Sequence, residues 1–434
     1  MSSNCPVNPL AELTSDALRR HPVQGCLWLG YSGGLDSTVL LHLLAAQGLP
    51  VCALHVHHGL SPHADHWQAH CAAQADRLGV PFRSLAVVVD SADGGLEQGA
   101  REARYRAFRE VMAEGDVILL GHHGDDQVET FLLRLLRGAG VPGLASMRES
   151  RHLGGGRHLL RPLLRATRSQ LESYARQHGL QWIEDESNAD TSFDRNFLRR
   201  NVTPQLASRW PVATVVARVA ENLQETADLL EALAEEDLQR CDLAMARIGQ
   251  SIDLDALACL STARQKNLLR CWVQSRSGRP PESAHLEQLL RQLAAAADAR
   301  PEVGLTGLVA RRFRNRLYLT PQLQPLDSAD LAGGVWQWDG ASDLQLPGGS
   351  VLSPSAGWPA GDYRVCFRGG GERAQPRARR HSQTLKRLLQ EYALEPWLRD
   401  RIPLIYRGEQ LVAVGDLFAT PGGPPQAPIW RFLD

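Results

Sequence analysis

The stretch GCLWLGYSGGLDSTVLLHLLAA, residues 25–46, decides the fold. Residues 25–30 form an apolar run of strand length, 31–36 a polar turn with two glycines, and 37–46 an apolar segment of helix length. The same unit recurs downstream. Strands at 51–56, 82–89 and 116–120 precede helices at about 62–78, 96–113 and 125–136. Such repetition predicts an α/β class with a doubly wound parallel sheet, whose functional loops follow the carboxyl ends of the strands.

Beyond Gly138 the alternation loosens through Gly-rich turns to a short strand near 159–164 and a helix at 167–178, followed by an Arg/Asn-rich stretch ending near Trp210 and Pro211. From there to about Ala297 the spacing is that of amphipathic helices. A Pro/Gly-rich passage, about 321–361, reads as a connector to a small C-terminal α/β domain. The expected division is therefore 1–211, catalytic; 212–325, mainly helical; and 326–434, linker and C-terminal domain.

With 43% hydrophobic and 22% charged residues the composition is that of a globular protein. No apolar run is long enough to span a membrane. The first twenty residues lack a basic region followed by an apolar stretch, so a cytoplasmic location is expected. Eight scattered cysteines form no Cys-x-x-Cys pair and read as free thiols. A net charge of −1 gives no global nucleic-acid signal, but all 47 basic residues except Lys266 and Lys386 are arginine, the side chain suited to bidentate phosphate contact.

The turn itself carries chemistry. Gly33 and Gly34 let the backbone curl, Ser32 and Ser37 offer hydroxyls, and the start of the following helix, with Leu35 on the turn, points free N–H groups at an anion. There is neither a Walker A ending nor a G-x-G-x-x-G pattern. Asp36 beside phosphates would repel them unless a divalent cation bridged the two, so Mg²⁺ is inferred together with a bound nucleotide. This SGGLDS string resembles the PP-loop of the N-type ATP pyrophosphatases, which cleave ATP between the α- and β-phosphates and pass an adenylate to a substrate oxygen.

Further segments narrow the choice: HVHHGL at 55–60, GHHGDDQVET at 121–130, RGAGVPGL at 137–144, RPLL at 161–164, DESNAD at 185–190 and RNFLR at 195–199. A C-terminal segment, PWLRDRIPL at 396–404, with Lys386 to Glu391, completes the order. Together they resemble the tRNA(Ile)-lysidine synthetase family over nearly the whole chain. The resemblance implies that ATP adenylates the C2 oxygen of the wobble cytidine in the CAU anticodon of tRNA(Ile), and that the ε-amine of free L-lysine then displaces AMP to give lysidine. It implies that Asp126, Glu129 and Thr130 place lysine and, with Asp36, the metal ion.

The residues agree independently. A cationic substrate calls for carboxylates, and Asp126 and Glu129, three apart, share a helical face; either could also take a proton from the ammonium. Arg104, with Arg101, is a candidate for the charge on pyrophosphate. His57 and His58 read as groups near the nucleotide. His63, His66 and His70 have a zinc-like spacing, but Asp65 and Cys71 would point off that face, so no fourth ligand is obvious. Arginine clusters at 148–168, at Arg195, Arg199 and Arg200, and at 368–387, including Arg379, Arg380 and Lys386, are candidate RNA contacts. A homo-oligomer is left open.

Three rivals remain. A sulfur-inserting relative needs positioned cysteines, an amidotransferase needs a glutaminase domain ahead of the loop, and a non-enzymatic RNA-binding protein has no use for Asp36 and DDQVET. None of the three accounts for these residues.

Overall fold

Alternate residues of the predicted strands are apolar on both sides, and helices cover both faces of the sheet they form. The computed structural model describes residues 8–90, 95–184, 186, 190–294, 301–327 and 334–432. The chain divides into two units, Met1–Leu229 and Leu230–Asp434.

In the first unit Asn8 caps helix α1 (Pro9–Arg20), accepting the Leu10 amide hydrogen at 2.9 Å. There follow β1 (Leu27–Gly30), α2 (Leu35–Ala46), β2 (Val51–His57), α3 (Ala64–Arg77), β3 (Phe82–Ala86), α4 (Gly95–Val111), β4 (Val117–Leu119) and α5 (Gly124–Leu136). A short helix α6 (Val141–Leu144), a hairpin of β5 (Ser150–Gly154) and β6 (Arg157–Leu160), and α7 (Arg168–Gln177) complete the layer. Strand order is β3-β2-β1-β4-β6-β5, parallel throughout except for β5 against β6. The doubly wound sheet is as expected; α1 and the antiparallel edge strand β5 are additions to it.

The period of two sorts the strand side chains between two cores. Leu29 and Leu119, paired across β1 and β4, pack with Leu40, Leu43 and Leu160. Ile118 and Leu54 face the other way, onto Phe108, Met112 and Leu159. Helix α2 buries Leu35, Ser37, Thr38, Val39, Leu40, Leu41, Leu43 and Leu44. With so little polar surface it cannot be a surface helix, and burial keeps its N-terminus in place.

Buried Asp116, just before β4, ties this layer together. Its carboxylate accepts hydrogen bonds from Cys26 N at 2.7 Å, Trp28 Nε1 at 2.9 Å and Ala113 N at 2.9 Å. Burial acts to raise its pKa, but these donors prevail and hold it below the usual carboxylate range. We expect Asp116→Ala to strand these donors and to destabilise the first unit by about 2–4 kcal/mol, read as a lower denaturant midpoint with an unchanged slope. Because the folded pKa is depressed, the stability that Asp116 contributes is present at neutral pH. It is lost as pH falls through its folded pKa.

After α7 the chain forms α8 (Asp194–Phe197), a π-helical turn (Leu198–Val202), α9 (Thr203–Ala207) and the long α10 (Val212–Arg240). Single π turns recur at functional sites.

The second unit departs from expectation in two places. Its helices, Leu254–Ala258, Thr262–Ser277 and Ser283–Leu293, pack on a five-stranded antiparallel sheet made of Ala244–Met245, Gln250–Asp253, Arg316–Pro321, Leu308–Phe313 and Glu302–Leu305 in that order. The segment expected to be mainly helical therefore contains a full sheet. Its strands are short, and Arg311, Arg312 and Arg316 interrupt their apolar alternation. The passage expected to be a linker also folds: Val335–Trp338, Leu344–Leu346 and Ser350–Ser353 are strands, and Trp338, Leu346, Leu352 and Trp358 are buried in the C-terminal core. Its glycines serve hairpins, as Gly348 and Gly349 show with φ of +76° and +79° between two of those strands. The described part of the C-terminal region is built mainly of antiparallel strands, with the α-helix Leu385–Glu391.

Candidate active site

The turn after β1 is shaped by close approach. Gly33 has φ +84°, and a Cβ there would lie 2.7 Å from Cys71 Sγ and 2.7 Å from Ile183 Cδ1. Gly34 is the N-cap of α2, which begins at Leu35, two residues earlier than predicted. Ser32 Oγ and Ser37 Oγ lie 3.1 Å apart, and Ser37 Oγ donates to Gly34 O at 3.1 Å. Ser32 is exposed and Ser37 buried, so the first amides of α2 and two hydroxyls ring one opening.

Asp36 stands on the first turn of α2, and the loop after β4 closes on it. A Cβ on Gly121 would come within 2.9 Å of Asp36 C and O. Gly121→Ala should therefore displace Asp36 and raise KM for ATP about tenfold or more. Steady-state pyrophosphate release will check this, with far-ultraviolet circular dichroism confirming the fold.

His123, one of the residues not singled out from sequence, organises the rest. It is the N-cap of α5: its Nδ1 accepts the Asp125 amide hydrogen at 3.2 Å, and its own N–H donates to Asp126 Oδ2 at 3.0 Å, a capping box. Its Nε2 faces Asp36 Oδ1 at 3.6 Å and Asp126 Oδ2 at 3.5 Å, and its Nδ1 lies 3.5 Å from Asp125 Oδ2. Burial works to lower the His123 pKa, but Asp126, Asp125 and Asp36 prevail and raise it. Burial raises Asp36 itself, only partly countered by His123.

Asp126 and Glu129 are buried, and two arginines cover them. Arg195 donates from Nε to Glu129 Oε2 at 2.7 Å and from NH2 to Asp126 Oδ1 at 2.8 Å. Arg199 donates from Nε to Glu129 Oε1 at 2.5 Å and from NH2 to Asp126 Oδ1 at 3.2 Å. Although burial acts to raise Asp126, the charges of His123 and Arg195 hold it well below the usual range. Arg195 and Arg199, expected as RNA contacts, thus lie on the carboxylates expected to hold lysine. Thr130 is half-buried beside them in sequence.

Arg104 is half-buried and makes no ion pair among the described residues. Burial and the neighbouring Arg101 lower its pKa, and Arg195 acts in the same direction. A guanidinium without a carboxylate partner at this place suits an incoming anion. His57 Nε2 pairs instead with Asp65 Oδ1 at 3.0 Å, while burial pushes His58 down to about 4. Arg161, also expected at the RNA, is buried, donating to His122 Nδ1 at 3.2 Å and to Arg148 O at 2.7 Å. Its place is structural, and its charge, after burial itself, helps push His122 down to about 3. In the second unit Arg379 pairs with Glu391, whereas Arg380 and Lys386 are exposed without an ion pair among the described residues. Of the 185–190 motif, residues 185 and 187–189 lie outside the described residues.

Comparison with known proteins bears on this arrangement. Residues 9–206 match the PP-loop domain, 252–318 the TilS substrate binding domain and 363–432 the TilS substrate C-terminal domain. A tRNA(Ile)-lysidine synthase from Pseudomonas aeruginosa is 44% identical, covering 98% of this chain and 97% of that one. The chain belongs to the tRNA(Ile)-lysidine synthase family. Relatives of the same description from Pectobacterium atrosepticum and Pseudomonas putida are 41% and 45% identical, covering 94% and 90% of this chain and 94% and 92% of theirs. The chain is an ATP-using PP-loop enzyme of tRNA modification; the string at 32–37 implied the PP-loop, and the further segments implied the tRNA chemistry. Among the described residues no helix is long and apolar enough to cross a membrane.

Proposed function

We propose that this enzyme adenylates the C2 oxygen of the wobble cytidine in the CAU anticodon of tRNA(Ile) and joins the ε-amine of free lysine to that carbon. The observation that carries this proposal is the single cluster in which His123 links Asp36, beside the phosphate turn, to the buried pair Asp126 and Glu129. One side suits a triphosphate and the other a cationic amine.

In the first step the cytidine oxygen attacks the α-phosphorus and pyrophosphate leaves. Amides of the 33–35 turn and the hydroxyls of Ser32 and Ser37 would hold the phosphates, and Arg104 would meet the charge on the leaving group. Asp36 Oδ1 is buried with no hydrogen-bond partner, and a carboxylate oxygen so placed beside a triphosphate fits a divalent cation. Asp36 would hold Mg²⁺ there, supplying neutralisation of phosphate charge. The expected help from Asp126 is weaker, because its oxygens are engaged by Arg195, Arg199 and the His123 amide.

In the second step the lysine nitrogen attacks C2 and AMP departs. The ammonium must first lose a proton. Asp126, held well below its usual range, is a good partner for a cation and a poor proton acceptor. Arg195 and Arg199 must yield one carboxylate edge for the ammonium to enter.

The test uses ATP, radiolabelled lysine and a tRNA(Ile) transcript bearing CAU, with tRNA(Met) as control. Label should enter the first and not the second. Incorporation into neither, with the protein folded and binding ATP, removes this assignment.

A further inference from the structure

The segment that carries Arg195 and Arg199 has a second face. Among the described residues the exposed phenylalanine and tryptophan side chains are Phe193, Phe197 and Trp210, and all three fall in this one stretch. Single exposed apolar residues need no explanation. The gathering of the exposed Phe and Trp side chains of the described residues in the stretch that carries Arg195 and Arg199 does.

The geometry shows how the two faces separate. Phe193 is the N-cap of α8, and its carbonyl accepts the Phe197 amide hydrogen at 3.0 Å. The two rings are therefore i, i+4 neighbours on one face. Arg195 and Arg199 form a second i, i+4 pair offset by two residues, about 200° around the helix, and they point at Asp126 and Glu129. The rings are consequently turned outward, 48% and 47% exposed. Exposed Arg200 follows on the same stretch without an ion pair among the described residues, and Arg209 lies over the Trp210 ring at 5.3 Å. Outward aromatic faces flanked by guanidinium groups match unpaired bases strung on phosphates. A second copy of the chain would place arginine against arginine and fits less well.

We propose that Phe193 and Phe197 form a stacking platform for unpaired bases of the tRNA anticodon loop, with Arg200 and Arg209 on its phosphates. The inference rests on the tRNA reaction proposed above and adds which side chains grip the opened loop. Base stacking is tolerant of sequence, so the platform secures the loop without choosing the base that reacts.

The test replaces the π faces and keeps the apolar bulk, in the double variant Phe193→Leu/Phe197→Leu. Its dissociation constant for full-length tRNA(Ile) should rise about tenfold or more, with KM for ATP and the melting temperature unchanged. Phe193→Tyr/Phe197→Tyr should bind like the parent. A 2-aminopurine base in the anticodon loop should be quenched by the parent and less by the leucine variant. Leucine variants that bind tRNA within about twofold of the parent overturn the platform, as does tyrosine failing alongside leucine. A change in sedimentation of the free leucine variant would assign the patch to self-association and overturn it too. If the parent itself leaves tRNA(Ile) unlabelled, the reaction assignment fails, an outcome distinct from these.

Discussion

Asp36→Asn is expected to lower kcat/KM for tRNA-dependent ATP cleavage by about 10²- to 10³-fold, while leaving the fold intact. The amide has the shape of the carboxylate, and no hydrogen bond holds Oδ1. What would be lost is the charge with which Asp36 would hold a divalent cation. Folding should not suffer. A carboxylate whose folded pKa is raised stabilises the folded state only while protonated, so its charge is a cost at neutral pH. The variant should therefore unfold at the same denaturant concentration as the parent, or higher. Pyrophosphate release decides the matter: turnover within a few-fold of the parent would falsify the role given to the turn.

Glu129→Gln should strike the second half-reaction. Glu129 is 1% exposed and receives hydrogen bonds from both Arg195 and Arg199. Removing its charge leaves two guanidinium groups sharing Asp126 and takes away one of the two charges available to an ammonium. Removing one partner of a buried charge contact with a bound ligand costs about 2–5 kcal/mol of binding, so KM for lysine should rise about 10²-fold or more. Adenylation does not involve lysine. Exchange of labelled pyrophosphate into ATP, run with tRNA and without lysine, should thus persist near the parent rate. If exchange and ligation fall by the same factor, Glu129 is holding the site together and is not receiving the amine.

The first half of the chain was largely legible because its central strands are apolar on both faces and its helices follow at regular distance. SGGLDS and DDQVET announce themselves, since carboxylates beside a glycine turn have little structural use. What sequence does not announce is which charges meet. Arg195 and Arg199 lie far along the chain from Asp126 and Glu129, and nothing local distinguishes an arginine bound for RNA from one bound for a carboxylate. Arg161 shows the same limit, since a basic cluster in sequence conceals that one member is buried. His123 was within reach. A residue directly before Gly-Asp-Asp at a helix start is placed to cap it, though caps are ordinarily Ser, Thr, Asp or Asn. The sheet of the second unit escaped because short strands bearing arginine lack the alternation that marks a half-buried strand.

The start of α5 is fastened to its neighbours by backbone. Gly124 N donates to Ala166 O at 2.7 Å, and Arg168 N donates to Asp125 Oδ2 at 2.8 Å. Helix α7, which begins at Arg168, in turn meets α2 through Tyr174 OH and His42 Nδ1 at 2.8 Å. The helix whose first amides are proposed to hold phosphate and the helix whose carboxylates are proposed to receive the amine are thus members of one frame. Little reorganisation within that frame is needed between the two chemical steps, and its entropy is spent during folding. On the proposed chemistry, motion during turnover then falls to the reactants and to the side chains of Arg195 and Arg199: one nucleobase, swung out of its loop, meets first a phosphorus and then a nitrogen while the backbone frame around it stays in place.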